Sequence, residues 1–340
     1  MSLPPKEIPL GAMRFNSDSQ KLEYWMGSAW MQIQTFSPNL DGGVRGIYAG
    51  GINTPSGNTT NEIQFFTIST QGDTSDFGDL TVARMPSSMG SDTRGVFASG
   101  SPGAGPYYTN YMDFITISST GDATDFGDNE PDVSGNFSMS NQTRGLIAGG
   151  TAPGNTNAIF HITIASTGDS KDFGDLTAAR NDARGACESP VRGLGFGGVT
   201  PSITSAIDMI TIPTLSNASD FGDLTDTARE RGMGCSNSVR GLVAGGQDPA
   251  ATSNIDSVII ASEGNSTLFG NLQATNINSG ANAATSSPTR ATFCGGQVPS
   301  NTDMIQYVEI ASGGTTTDFG NLVRVQSGGS AISNGHGGLG

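Results

Sequence analysis

Apolar residues in this chain come in short bursts separated by Gly, Ser, Thr, Asn and Asp, and the bursts recur in register. One column reads Ile68, Ile117, Ile164, Ile212, Ile260 and Ile310. Two residues earlier stand Phe66, Ile115, Ile162, Ile210, Val258 and Val308, with threonine the usual residue between. Period-two alternation in β-branched residues predicts a strand. Five residues ahead of the column a further apolar position (Ile63, Met112, Ile159, Ile207, Ile255, Ile305) breaks the alternation. The strand is therefore either bulged or buried on both faces.

Two anchors frame that strand. The first is Arg-Gly or Arg-Ala followed by an apolar run ending in Gly-Gly or Ser-Gly, and its arginines are Arg45, Arg94, Arg144, Arg192, Arg240 and Arg290, spaced by 48 to 50 residues. The second, mostly Asp-Phe-Gly-Asp-Leu, places Phe77, Phe126, Phe173, Phe221, Phe269 and Phe319 at the same period. Two anchors and a strand column kept six times define six repeats. Each reads as four short strands: one before the arginine, the arginine strand, the alternating strand, and the Asp-Phe-Gly strand. Four strands in about 49 residues is the blade unit of a β-propeller. Beyond Asp-Phe-Gly-Asn-Leu at 318–322, the alignment sets His336 where Arg94 stands. The chain thus enters one more first strand and stops, which would complete the first blade and clasp the ring shut. The expected fold is all-β: a six-bladed propeller of four-stranded blades over 41–340.

Ala-Arg, a small-residue strand and an apolar strand ending in Gly-Gly together resemble kelch repeats, although the Tyr and Trp that usually follow the Gly-Gly are missing. Residues 1–40 stand outside the repeat. GAMRF, KLEYW and AWMQI read as three short strands joined by NSDSQ and MGS turns. Arg14, Phe15, Asn16, Asp18, Lys21, Leu22, Glu23, Trp25, Gly27, Ser28, Ala29 and Trp30 resemble the β-meander near the N-termini of many phage tail-fibre and virion proteins; Met26 departs from the pattern. The resemblance implies a particle-attachment or oligomerisation element, with Arg14, Phe15, Trp25 and Trp30 as candidate assembly residues. About 40 residues with aromatic strands cannot bury a core alone, so they must pack on the propeller, on copies of themselves or on a partner.

Composition narrows the partners. A net charge of −15 with no basic stripe argues against nucleic acid and anionic membrane surfaces. No apolar run approaches the ~20 residues of a membrane span, and MSLPPKEIPLGAMRF lacks the core of a signal peptide. Cys187, Cys235 and Cys294 include no CxxC pair and read as buried small hydrophobes.

Chemical motifs dissolve into the repeat. Asp-Phe-Gly recurs blade by blade without a kinase's other parts, and GLGFGG at 193–198 aligns with strands rather than opening a helix. His161 shares a column with Phe65, Phe114, Met209, Ser257 and Tyr307; His336 sits in the closing strand, and two isolated histidines build no His-rich metal site. No catalytic residue, metal or cofactor is expected. The six arginines read as a structural ring, each pairing with an Asp-Phe-Gly carboxylate or a turn carbonyl of its own or a neighbouring blade; the competing reading is an anion-capturing ring at one mouth of the channel. The loops after each Gly-Gly are polar and variable. One carries Tyr107, Tyr108 and Tyr111, rigid amphipathic faces suited to a sugar or a protein hot spot. The expected function is a non-enzymatic bacteriophage virion protein (a tail, fibre or head-decoration subunit) that is oligomeric within the particle. Its N-terminal segment would contact other virion proteins, and its propeller would face outward toward a host-surface glycan or protein. The alternative is a free carbohydrate- or protein-binding kelch-like propeller.

Overall fold

The computed structural model describes residues 8–16, 21–32, 44–103, 107–151, 153–225, 228–273, 283–297 and 300–340. Two compact units divide the chain, Met1–Leu40 and Asp41–Gly340. In the smaller unit Met13–Asn16, Lys21–Trp25 and Trp30–Gln32 form an antiparallel meander. Asp18 lies outside the described residues.

Among the described residues the larger unit is all-β apart from one short 3-10 turn, with six large antiparallel sheets whose strands neighbour one another in repeat order, and two short two-stranded ones. Sheet I is Ser330–Ser333, Arg45–Ala49, Glu62–Thr67 and Ser75–Asp79; sheet II is Met85–Gly90, Arg94–Ser101, Thr109–Thr116 and Thr124–Val133. Sheet III is Phe137–Ser140, Arg144–Ala148, Ala158–Thr163 and Lys171–Asp175; sheet IV is Gly185–Glu188, Arg192–Phe196, Ala206–Thr211 and Ser219–Asp223. Sheet V is Met233–Ser236, Arg240–Ala244, Asn254–Ile259 and Thr267–Asn271, extended by a parallel pairing with Gly314–Thr315. Sheet VI is Ala284–Ser286, Arg290–Cys294, Met304–Glu309 and Thr317–Asn321.

Sheet I takes its first strand from the far end of the sequence, with Ser330 opposite Ala49 and Ser333 opposite Gly46. The missing covalent turn is imitated by a side chain: Asn334 Oδ1 accepts from the Arg45 amide at 2.7 Å, as Asn141 Oδ1 accepts from Arg144 within a continuous hairpin. His336 is not in this strand. The second-strand position is already filled by Arg45–Ala49, so the chain turns away after Ser333. His336 caps a 3-10 turn, Gly337–Leu339, and its ring meets Glu188 of sheet IV at 2.8 Å.

The broken alternation reflects burial of the third strand on both faces, while the bulge falls on the strand beside it. Ile63 pairs with Gly78 while Gln64 pairs with Asp76, so Phe77 is an extra residue on the partner strand; Ile63 and Gln64 are nevertheless both buried. The same shift recurs in all six sheets. The Asp-Phe-Gly phenylalanine is thus a bulge residue turned inward.

The apolar clusters lie between sheets rather than within them. Ile47, Ala49, Ile63 and Phe77 of sheet I pack with Phe97, Ile115 and Ile117 of sheet II. Equivalent clusters join II to III, III to IV and IV to V, and one larger cluster spans V, VI and I. The arginine column follows the same circuit. Arg45 Nη1 donates to the Ile117 carbonyl at 2.8 Å, Arg94 to Ile164 at 2.9 Å and Arg144 to Ile212 at 2.8 Å. Arg192 donates to Ile260 at 3.2 Å, Arg240 to Ile310 at 2.7 Å, and Arg290 back to Ile68 of sheet I at 3.1 Å. Of the two partners anticipated from sequence, it is the carbonyl of the next sheet that is used. Among the described residues only Arg290 adds a carboxylate, Glu309, which is not part of an Asp-Phe-Gly motif. Arg45, Arg94 and Arg290 also lie 4.6, 4.3 and 4.5 Å over the rings of Phe65, Phe114 and Tyr307.

Along the fourth strands, the Asp79 amide donates to Asp122 Oδ1 of the next sheet, Asp128 to Asp169, Asp175 to Asn217, Asp223 to Asn265, and Asn321 to Asp73. Gly78, at φ +147°, lets this approach happen, since a Cβ there would collide with the Gly121 carbonyl. Along the first strands, serine hydroxyls do the linking: Ser138 donates to the Ser88 carbonyl, Ser236 to Glu188, Ser286 to Ser236, Ser333 to Ser286 and Ser88 to Ala331.

The arginine bonds yield a direct expectation. Arg144→Met removes a charged donor from a part-buried carbonyl and should cost about 1–2 kcal/mol in urea denaturation. A midpoint equal to wild type would show that the column contributes nothing to holding the sheets together.

Candidate functional site

The N-terminal candidates divide between the two faces of the meander. Trp25 and Trp30 are directly paired across strands, their rings 5.5 Å apart at 55°. Arg14 lies 4.2 Å over Trp30 and pairs with the buried Glu23 at 2.9 Å, which also accepts from Asn16 at 3.0 Å. Strand alternation sends Phe15 to the opposite face with Met13, Leu22, Tyr24 and Met31. Met13 and Phe15 are each 66% exposed and Met31 is exposed as well. One face is therefore a self-satisfied aromatic–ionic network, and the other is an apolar surface open to solvent.

In the larger unit a polar column runs through the third strands, one residue after the bulge: Gln64, Asp113, Phe160, Asp208, Asp256 and Gln306. Where it is aspartate, a buried arginine from the incoming linker covers it. Arg84 pairs with Asp113 at 2.7 Å, Arg180 with Asp208 at 2.9 Å, and Arg229 with Asp256. All six side chains are essentially inaccessible. The pairs also bind the linker: Thr81 Oγ1 donates to Asp113, and the Thr177 amide and hydroxyl donate to Asp208. Where the column is glutamine, its amide oxygen accepts directly from the linker backbone, Val323 N to Gln64 and Gln273 N to Gln306. These buried pairs escaped the sequence reading. The signal was present, since aspartate occupies the column only where Ala-Arg precedes the next strand.

Sheet III breaks the column with Phe160, which has no polar atom to hold a linker. The linker from sheet II departs accordingly. Thr109 pairs with Val133 and Tyr111 with Asp128, so the four residues Asn129–Asp132 bulge out opposite Asn110. Asn129 stands where the other repeats have leucine; its amide donates to the Pro131 carbonyl at 3.0 Å and its oxygen accepts from Ser170 at 2.9 Å, fixing the bulge. The result is an open cleft of about 800 Å³ lined by Tyr108, Asn110, Asn129–Asp132, Pro153 and Phe160. Of the three candidate tyrosines only Tyr108 lines it; Tyr107 and Tyr111 are exposed outside it. Residues 104–106 of that loop lie outside the described residues. Asp128 at the cleft's edge is held above the ordinary carboxylate range by partial loss of solvent, then by Asp169, Asp125 and Asp132.

His161 and the three cysteines are absorbed by packing. His161 meets Phe173 edge-on at 6.0 Å, and burial, then Arg144 and Lys171, lower its basicity. Cys187, Cys235 and Cys294 are free and buried, with their thiols pushed well up by burial. Among the described residues no three His, Cys, Asp or Glu side chains are placed to hold a metal, and no helix is long and apolar enough to cross a membrane. Comparison with models of known protein families and with curated protein sequences finds no match to this chain.

The buried pairs predict an asymmetry between single and double substitutions. Arg180→Met should cost about 3–5 kcal/mol, because it strands the Asp208 carboxylate; adding Asp208→Leu should recover most of the loss. A double variant no more stable than the single one, in the same denaturant titration, would contradict this.

Proposed function

We propose that the six sheets are blades of a kelch-like β-propeller closed by the strand Ser330–Ser333, and that the chain is a non-enzymatic structural protein of a bacteriophage particle. Support for the propeller comes from the cyclic circuit of arginine hydrogen bonds, which runs from sheet VI back to sheet I, joined at five junctions by serine bonds. A ring of repeats linked by equivalent contacts suits a durable, displayed module better than a catalyst, whose site must break symmetry chemically.

The observation that carries the particle assignment is the N-terminal meander. Its residues resemble the pattern of phage tail-fibre and virion proteins, apart from Met26, and its face carrying Met13 and Phe15 is apolar and exposed. A three-stranded sheet of this size gains stability by covering such a face. In this reading residues 1–40 attach the subunit to other virion proteins or to copies of itself, and the propeller faces outward as a tail, fibre or head-decoration element able to engage the host surface. A free binding propeller is the second reading, favoured by the cleft beside Tyr108, which would function equally well off a particle.

The two are separated with a phage carrying Met13→Ser and Phe15→Ser together. Both side chains are exposed, so the isolated variant should melt at the wild-type temperature while the protein disappears from purified particles. Undiminished incorporation would remove the attachment role.

A further inference from the structure

We propose that the cleft between sheets II and III is a binding site for an uncharged saccharide. The inference rests on the surface-binding part of the reading above and supplies its ligand class and its residues.

The cleft exists because three repeat columns fail at one junction. Phe160 replaces the linker-binding Asp or Gln of the other five sheets, Asn129 replaces leucine, and no arginine arrives to fill the space. At every other junction that space is occupied: by Arg84, Arg180 and Arg229 on their aspartates, or by linker backbone bonded to Gln64 and Gln306. Phe160 packs only in part against the cluster between sheets II and III and leaves the rest of its ring exposed, and the bulge places the Glu130 and Asp132 side chains in solvent. A break in an otherwise regular repeat, with a bulge that re-aims side chains into an opening, marks a ligand site.

The chemistry of the lining selects the ligand. Tyr108, Pro131, Pro153 and Phe160 supply flat apolar surface, while Asn110, Glu130 and Asp132 supply an amide and two carboxylates. A pyranose has the complementary character: a C–H face that packs on aromatic and proline rings, and a rim of hydroxyl donors that carboxylates accept. The opening, about 800 Å³, lies within the roughly 300–1,000 Å³ typical of small-ligand clefts. Charge excludes the acidic sugars. Among the described residues no lysine, arginine or histidine lines the cleft; Glu130 and Asp132 do, and Asp128 beside Asn129 feels the further negative charges of Asp169 and Asp125. A sialyl, sulfate or phosphate group would enter a negative field with no counter-charge.

The test uses the full chain on an array of uncharged, amino-bearing and acidic oligosaccharides, followed by saturation-transfer NMR on the retained compounds. Uncharged saccharides should be retained and acidic ones not. Tyr108→Ala should weaken binding about tenfold by removing one stacking face, and Glu130→Gln, on an exposed side chain, should weaken it without altering the melting temperature. Tyr107→Ala, outside the cleft, should leave binding unchanged. The proposal is overturned if no uncharged saccharide is retained, if acidic or amino sugars are bound as well or better, or if Tyr107→Ala weakens binding as much as Tyr108→Ala and Glu130→Gln. Saccharide binding by a protein that never enters particles would leave the cleft standing and remove the virion assignment; incorporation without saccharide binding would do the reverse.

Discussion

A twisted four-stranded sheet with apolar residues on both faces cannot cover them by itself, and in the larger unit each sheet leaves that task to its neighbours. The isoleucine column shows how tightly the dependence is drawn. Ile117 buries its side chain in the cluster between sheets I and II, and its carbonyl receives the Arg45 guanidinium from sheet I. One residue thus serves as core and as hydrogen-bond partner for the adjacent sheet. The arrangement repeats until Arg290 returns to Ile68, so the links have no loose end. Because interactions are almost all nearest-neighbour, a weakened link is felt first by the two sheets it joins.

Within that frame the six junctions solve one problem by different means. A linker must cross the top of each third strand with its polar atoms satisfied. Three junctions use a buried arginine–aspartate pair and two use a glutamine. Buried pairs of this sort contribute little net stability over an apolar replacement, but they tolerate no half measures. Aspartate without its arginine, or the reverse, would be strongly disfavoured, and the two occur together. The junction between II and III abandons the polar solution and opens a cleft.

Much of this was legible in the sequence, for a physical reason. A repeated packing problem forces the same residue types back to the same places, so strands, anchors and their number could be read from Ile68, Arg45, Phe77 and their equivalents. What was hidden depended on three-dimensional neighbours. Two explanations were open for Ile63, and only the register of Gly78 and Asp76 shows that its strand is buried on both faces while the bulge sits at Phe77 on the neighbouring strand. The arginines could have sought carboxylates; their carbonyl partners lie some 70 residues away, on another sheet. His336 was placed by counting along the chain, which could not anticipate that its strand position was already taken. The cleft was invisible because Tyr108, Glu130 and Phe160 come from three separate elements, although the substitution of Phe160 into a polar column was there to be noticed.

Sheet I joins residues almost three hundred positions apart, Arg45–Ala49 with Ser330–Ser333. As the polypeptide emerges from the ribosome, sheets II to V can form in succession, each leaning on the one before. Sheet I waits throughout with the edge of Arg45–Ala49 unpaired, a template for any other extended strand nearby. The final clasp is also the contact of longest sequence separation, and such contacts form slowly. The time between synthesis of Ala49 and arrival of Ser330 is therefore the interval in which this protein is most open to pairing with the wrong chain, and production at low temperature or low expression rate should favour the correct partner.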